Sequence, residues 1–551
     1  MAGLGVRLNR IYEKHSLITT LGGISYSIVV TIAPMVLVIG TVFALQQLLG
    51  FNKLGYAERE LFSCTMLYMF IFSLLITSPL NAVISRYIAD VIYEEKYDEI
   101  MPCFYFALGV TIVAAMIPAV PFFIHEFVVG KVDILYIMIS FVGYLALIYV
   151  FYVMQYLSAT KDYAKMSTFY FFGMMLCFIT AVVLNKLFGV SCTVAMLVGL
   201  DVGFLLIAGF EMAQVRHYFT TNSHNYTGLL PYFGKYWWLI VSNTFYMLGL
   251  YIHNFVFWTT DMRIVVRDSF VCAEPYDMAT FLALATNISA TVIFITSVER
   301  KFHEKYRGYS EAVIGGRLSD IEIAKKRMFD QLSMQLLELT RLQFIISVVI
   351  FLVMVVVLPQ VGLSGLVMQI YPLLGAGYYV MFLMYGAMIF LYYFNDLFGA
   401  MLTGIVFFSV SFAGAWISKD FHPIWYGAGL LAGALAAWTV AYFRLRWVER
   451  NMDRHIFCVG HIIAHGKGTR PPDLVWSREM GPPPLVKKDD KKEEKVDKNK
   501  EDAVKHIWDK NLVVIGVNGN TSRKELLEDK EEADDTLQTD TDSGGNSDNS
   551  G

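Results

Sequence analysis

Charge is scarce in this chain of 551 residues, at 17% against 56% hydrophobic residues. A soluble enzyme could not cover that much apolar surface, so that class is excluded. Cysteine is sparse too: six residues, Cys64, Cys103, Cys177, Cys192, Cys272 and Cys458, with no CxxC pair. That argues against a disulfide-built scaffold, and the six read as reduced or buried residues. Cys192 and Cys272 both fall near the outer face, which leaves a bridge between them open. No phosphate-cradling glycine loop, nucleophile elbow or metalloprotease helix occurs, so direct coupling to ATP hydrolysis is not expected and no cofactor is implied. The net charge of −4 averages a core that is basic on one side with acidic tail clusters such as Glu528-Asp529, and it implies no nucleic-acid partner.

What the chain does have is long hydrophobic runs. About twelve of them, each near the ~20 residues needed to cross a bilayer core, fall at 22–49, 61–84, 103–124, 133–157, 166–188, 193–213, 236–259, 278–298, 342–359, 366–391, 398–417 and 424–444. The chain is therefore expected to be an all-α polytopic membrane protein, with any function inside the bundle because the short polar links leave no room for a catalytic domain. Six runs, a connection and six runs is the layout of a transporter built from two repeated halves. Pro34, Pro79 and Pro372 fall inside runs, where neighbouring helices satisfy the freed backbone groups.

The expected organisation is an amphipathic N-terminal helix at 1–21, a first six-helix lobe at 22–215 and the start of a second lobe at 216–298. A loop helix at 299–341, the rest of the second lobe at 342–446, a juxtamembrane end helix at 447–466 and a charged, mostly disordered tail at 467–551 follow. Placing the N-terminus in the cytoplasm puts Arg7, Arg10, Lys14, Arg86, Lys161, Lys165, Arg216, Lys235, the basic loop 300–341 and Arg444, Arg446 and Arg450 inside. Only Lys53, Arg59, Lys131, Lys186, Arg263, Arg267 and Lys419 fall outside, so both termini are expected to be cytoplasmic. In the inner loop, Gly315-Gly316 ends one segment, and Ser319 with Glu322 reads as a capping box for the next. Ile321, Ala324, Met328, Leu332, Gln335 and Leu339 then keep a helical stripe into the ninth run.

Separate motifs in one order identify a family. Gly3-Leu-Gly5-Val-Arg7-Leu8, Ser78-Pro79-Leu80, Arg86-Tyr87-Ile-Ala89-Asp90 and Tyr97-Asp98-Glu99-Ile100 open the series. Lys161-Asp162-Tyr163, the stretch from Glu299 through Phe302 and Tyr306-Arg307 to Tyr309, and Leu391-Tyr-Tyr-Phe394-Asn-Asp396 continue it. Together they resemble the PelG family of exopolysaccharide exporters over about 450 residues. The resemblance implies a MATE-like fold, two six-helix lobes around a cavity that opens alternately to each side. It also implies a PelF-like cytoplasmic glycosyltransferase and PelD-like and PelE-like membrane proteins as partners, and an amino-sugar-rich polysaccharide as cargo for a biofilm matrix. The sequence departs from the family pattern in run seven, where His253 and Asn254 stand in place of an acidic residue and a lysine. The tail beyond about Gly466 exceeds the resemblance.

The candidate chemistry is polar groups inside runs. Asp201, midway along run six, is the one acid placed deep in a span, and such a carboxylate is a functional hypothesis by default: it can bind a cation, relay protons or meet an ammonium on an amino sugar. A structural carboxylate bonded to a neighbouring helix is the alternative. His253, Asn254, Asn287 and Gln369 are weaker pathway candidates, each also readable as a packing contact. Arg86 and Asp90, with Arg300, Lys301, Tyr306 and Arg307, mark the inner mouth, as a charged gate, a partner contact or ordinary membrane-edge anchors. His455, Cys458, His461 and His465 share one helical face but match no zinc motif. Two other functions remain open, a scaffold that anchors the glycosyltransferase and a drug or cation antiporter of the same fold. A membrane-embedded glycosyltransferase is disfavoured, because no large loop holds an acidic site for a sugar nucleotide.

Overall fold

Lipid offers no hydrogen-bond partners, so each apolar run satisfies its own backbone as a helix. In a computed structural model, which describes residues 17–160, 163–294, 298–315, 317–360 and 365–457, six long helices come first. They are α1 (Leu17–Leu48), α2 (Tyr56–Tyr93), α3 (Ile100–Val128), α4 (Ile134–Thr160), α5 (Tyr163–Lys186) and α6 (Cys192–Tyr218). A short α7 (Leu230–Lys235) leads into α8 (Trp237–Phe257), and a hairpin of β1 (Ile264–Val266) and β2 (Phe270–Cys272) follows. Then come α9 (Glu274–Asn287), α10 (Ser289–Ile293), α11 (Glu299–Gly315), α12 (Leu318–Gln360), α13 (Leu366–Tyr393), α14 (Leu397–Ser418) and α15 (Ala428–Phe457). Among the described residues ten helices are long and apolar enough to cross a membrane, and the described apolar part of α1, Ile32–Leu48, is shorter.

The two halves repeat one packing scheme. In the first, α1 lies on α5, α5 on α6, α6 on α4, and α4 also on α2 and α3. In the second, α8 lies on α14, α14 on α15, α15 on α13, and α13 also on α9 and α12. Each half buries its own core: Leu45, Phe62, Leu147 and Leu200 towards the hairpin end and Ile84, Phe104, Tyr152 and Val215 towards the opposite end of the N-lobe, Phe257, Tyr276, Met384 and Ala434 in the C-lobe. The lobes meet mainly where α2 crosses α8 and where the hairpin lies on α2.

Two local expectations are corrected. The eighth run, read as one helix over 278–298, is broken between α9 and α10, where Asn287 turns its amide to other helices. The capping box of Ser319 and Glu322 does not form: α12 starts at Leu318, and the Asp320 carboxylate takes the Arg317 N–H at 3.0 Å. The stripe itself holds, with Met328, Leu332, Gln335 and Leu339 all buried. Pro34, Pro79 and Pro372 lie inside helices as expected. The N-terminal segment 1–16 and the tail from 458 onward lie outside the described residues.

Candidate functional site

The hairpin closes one end of the seam between the lobes. Ser269 N–H bonds back to Val266 O at 3.2 Å, and Arg267 and Asp268 both take positive φ, 54° and 51°, which makes the two central residues of a type I′ turn. The turn rests on the end of α3 at Gly130, where an added Cβ would come within 2.8 Å of Glu126 O and 3.1 Å of Arg267 O. Ser269 Oγ donates to Glu126 Oε1 and lies 3.0 Å from His125 Nδ1. Beside it, Tyr68 of α2 binds both backbone groups of Val271, at 2.8 and 3.0 Å, and stacks on Trp258 at 5.3 Å. Phe270 packs edge-on against Tyr68 and Phe122, and Phe72 stacks on Phe255.

Under this cap lies a cavity of about 230 Å³ inside the N-lobe, walled by Tyr68, Phe72, Phe122, Tyr136, Tyr144 and Phe270. Its polar groups are mostly engaged: Thr65 Oγ1 and Tyr136 OH lie 3.1 Å apart, and Ser140 Oγ donates to Tyr136 O at 2.9 Å. The exception is Glu126, 2% exposed, whose Oε2 has no hydrogen-bond partner. Asp201 stands behind the wall rather than in it. Its Oδ1, also without a partner, abuts Gly143 of α4, next to Tyr144 and one turn from Ser140, and any Cβ at 143 would overlap both it and the Met69 methyl. A third acid, Glu211, lies about 15 Å further along α6, fully buried with both oxygens unpartnered. A buried carboxylate oxygen without a donor carries a desolvation cost that a proton, a cation or an ammonium group offsets.

The expectation that Asp201 is the one deep acid is therefore corrected. Glu126 fell just past the predicted end of run three at 124, but α3 continues to Val128. Glu211 falls two residues before the predicted end of run six at 213, and α6 continues to Tyr218, which leaves it about two turns inside.

The other candidates separate from this site. His253 is fully buried within the C-lobe, its Nδ1 2.9 Å from Tyr276 OH and its Nε2 3.5 Å from Tyr378 OH. Asn254 donates to Asp277 Oδ1 at 2.7 Å, and Asp277 also accepts from Trp258 Nε1 at 3.0 Å and Ala273 N at 2.9 Å. Asn287 is the hub at the break between α9 and α10: it donates to Ala283 O and Gly375 O and accepts from Gln343 and Ser347. Gln369 is exposed in the first turn of α13 and does not line the N-lobe cavity.

At the opposite end Arg86 pairs with Asp90 at 3.3 Å and lies over the Tyr236 ring at 5.4 Å, so it touches the C-lobe entry. Lys301 bridges α11 to Glu338 of α12 at 3.1 Å, Arg307 pairs with Glu311 at 3.2 Å, and Tyr306 is half-buried against the C-lobe. The side chains of Arg300 and His455, and Cys458, His461 and His465 entirely, lie outside the described residues. The Asp396 motif has a structural explanation: its carboxylate takes Gly399 N at 3.1 Å, capping α14, and accepts a two-pronged bond from Arg444 at 2.7 and 2.9 Å.

Residues 1–457 match the family described as PelG, exopolysaccharide exporter (EPS-E). The chain belongs to the PelG family. No curated protein shows significant sequence similarity to it. In fold it resembles a variant of the Vibrio cholerae MATE transporter VcmN, at 12% identity and a TM-score of 0.52, covering 77% of this chain and 98% of that one. An inward-facing MATE multidrug-resistance transporter of the MOP superfamily matches at 12% identity and 0.51, covering 77% and 99%. A MOP-superfamily transporter from Pyrococcus furiosus, for which a reversed binding-pocket polarity suggests a different function, matches at 13% and 0.51, covering 78% and 96%. These likenesses establish the MATE-like fold, and with the family they make this PelG-family protein a multi-pass membrane transporter for exopolysaccharide.

Proposed function

We propose that the protein exports a Pel-type, amino-sugar-rich polysaccharide across the cytoplasmic membrane by alternating access, with the N-lobe acids as the site where cargo or a coupling cation is held. The observation that carries this reading is a pair of buried carboxylate oxygens without a donor, Oε2 of Glu126 at the cavity and Oδ1 of Asp201 behind its wall. An ammonium on an amino sugar, a metal cation or a proton would each supply the missing partner. At about 230 Å³ the cavity is smaller than the ~300–1,000 Å³ of sites for drug-sized ligands, so a polymer passes only when the seam beside it parts. The aromatic wall of Tyr68, Phe72, Phe122 and Tyr136 suits pyranose faces.

The lysine and arginine distribution supports cytoplasmic termini and an outward-facing hairpin. On that reading α11 and the start of α12, with exposed Lys305 and Arg317, face a PelF-like glycosyltransferase, and PelD-like and PelE-like proteins complete the assembly for biofilm matrix synthesis.

Asp201→Asn separates transport from scaffolding. The expected result is loss of secreted polymer, by tenfold or more as a rough figure for a lost pathway charge, with normal protein level and undiminished co-purification of the glycosyltransferase. Normal secretion by a normally abundant variant sinks the site. In the same cells an impermeant thiol reagent should reach Asp268→Cys and not Ser223→Cys; the reverse overturns the sidedness.

A further inference from the structure

We propose that Cys64 and Cys272 are a thiol pair that closes to a disulfide across the seam and latches the lobes together at the hairpin end. Cys64 lies on α2 of the N-lobe, whereas Cys272 ends β2 in the segment that joins α8 to α9 of the C-lobe. Their sulphurs are 2.9 Å apart although the residues are 208 positions apart in sequence. That is closer than two unbonded sulphurs ordinarily approach. Both thiols are buried, at 1% and 4% exposure, in an apolar cluster with Val266 and Phe270.

The surroundings fix this approach from both sides. Tyr68, one turn along α2 from Cys64, holds the N–H and C=O of Val271, the residue next to Cys272. Two backbone bonds thus set the distance between the segments, and the thiols meet as a consequence. The bridge between Cys272 and Cys192 that the sequence left open is not seen: Cys192 Sγ donates instead to Met196 Sδ at 3.8 Å, within α6.

The reaction needs an oxidant, and a disulfide-bearing one on the hairpin side serves. One cysteine thiolate attacks a sulphur of that disulfide and releases one thiolate, leaving a mixed disulfide. The second cysteine, deprotonated, attacks the protein-side sulphur and releases the other. Two protein thiols are oxidised, one external disulfide is reduced to two thiols, and a dithiol reductant reverses the exchange. Because the pair is buried while the seam is shut, the oxidant meets it only when the lobes part. Reclosure then brings the second sulphur into reach and completes the bond, which restrains further opening in the way a crosslink restricts any loop it closes. Every other contact between the lobes among the described residues is non-covalent, so this bond would convert a reversible closure into a held one.

The test uses the full chain in lipid vesicles and does not depend on knowing the cargo, so its failure is distinguishable from failure of the export reading. Oxidised glutathione is added, the linked peptides are mapped by mass spectrometry without reduction, and amide hydrogen exchange is followed over 264–272 and 61–72. The expected result is a Cys64–Cys272 linked peptide and exchange slowed roughly tenfold or more in both segments, reversed by dithiothreitol. Cys64→Ser and Cys272→Ser should each abolish the response to oxidant. Should either variant fold poorly, the wild-type protein before and after dithiothreitol gives the same comparison. Absence of the linked peptide while both thiols remain alkylatable on denaturation overturns the proposal, and so does a linked peptide that leaves exchange unchanged.

Discussion

The two lobes share a packing order but treat their buried acids in opposite ways. In the C-lobe, Asp277 accepts from Asn254, Trp258 and the Ala273 N–H, and Asp396 is capped and clamped by Arg444. In the N-lobe, Asp201, Glu126 and Glu211 each keep at least one buried oxygen with no donor. Burying a carboxylate is expensive wherever it happens, so the paired acids are explained by the structure they hold. On the proposed function, the unpaired ones await a proton, a cation or an ammonium group. A repeated scaffold thus bonds these two C-lobe acids fully and leaves these three N-lobe acids each with an oxygen unmatched.

The largest effect should come from breaking the C-lobe clamp. Asp396→Ala leaves the Arg444 guanidinium, about one-fifth exposed, without its partner and uncaps α14, so folded protein should fall on the order of 3 kcal/mol in stability. Thermal unfolding in detergent measures it, and a variant as stable as the parent would show that the paired acids are not structural. A smaller effect distinguishes two glycines. Gly143→Ala places a methyl against Asp201 Oδ1 and Met69 and should cost about 1–3 kcal/mol with a loss of secretion. Gly386→Ala in the C-lobe meets Phe294 and Leu339 only at 3.4–3.5 Å and should be tolerated within ~0.5 kcal/mol. Equal outcomes at the two positions would show that Asp201 and Met69 do not crowd Gly143 as described.

The helices were legible because lipid forces apolar runs into one backbone solution, and the α12 face was legible because Met328, Leu332, Gln335 and Leu339 recur at helical spacing. The break after Asn287 was not, since Asn287-Ile288-Ser289 contains neither proline nor glycine and the cause is a network reaching Gln343 and Ser347. The hairpin was hidden by a turn of Arg267 and Asp268 instead of the usual Asn-Gly, and by strands of three residues each. Asp201 stood out as a charge midway along an apolar run. Glu126 was missed because hydropathy ends a span where charge begins, while the helix itself continues. Glu211 was missed because it falls two residues from the end of run six, where a charge reads as lying at the membrane edge. His253 and Asn287 have the right residue types for a pathway, and only three-dimensional contacts reveal that their bonds are already taken.

The most direct measurement sets Asp201→Asn beside Asp277→Asn and records, for each, the melting temperature and the polymer secreted per folded transporter. Asp201→Asn removes an uncompensated charge and no resolved hydrogen bond at Oδ1, so its melting temperature should be unchanged or higher while secretion per molecule collapses. Asp277→Asn replaces an acceptor used by Trp258 or Ala273, so its melting temperature should fall while each molecule that folds still secretes. The opposite pattern, a destabilised but fully active Asp201→Asn beside a stable and inactive Asp277→Asn, would contradict the assignment of transport to the N-lobe acids.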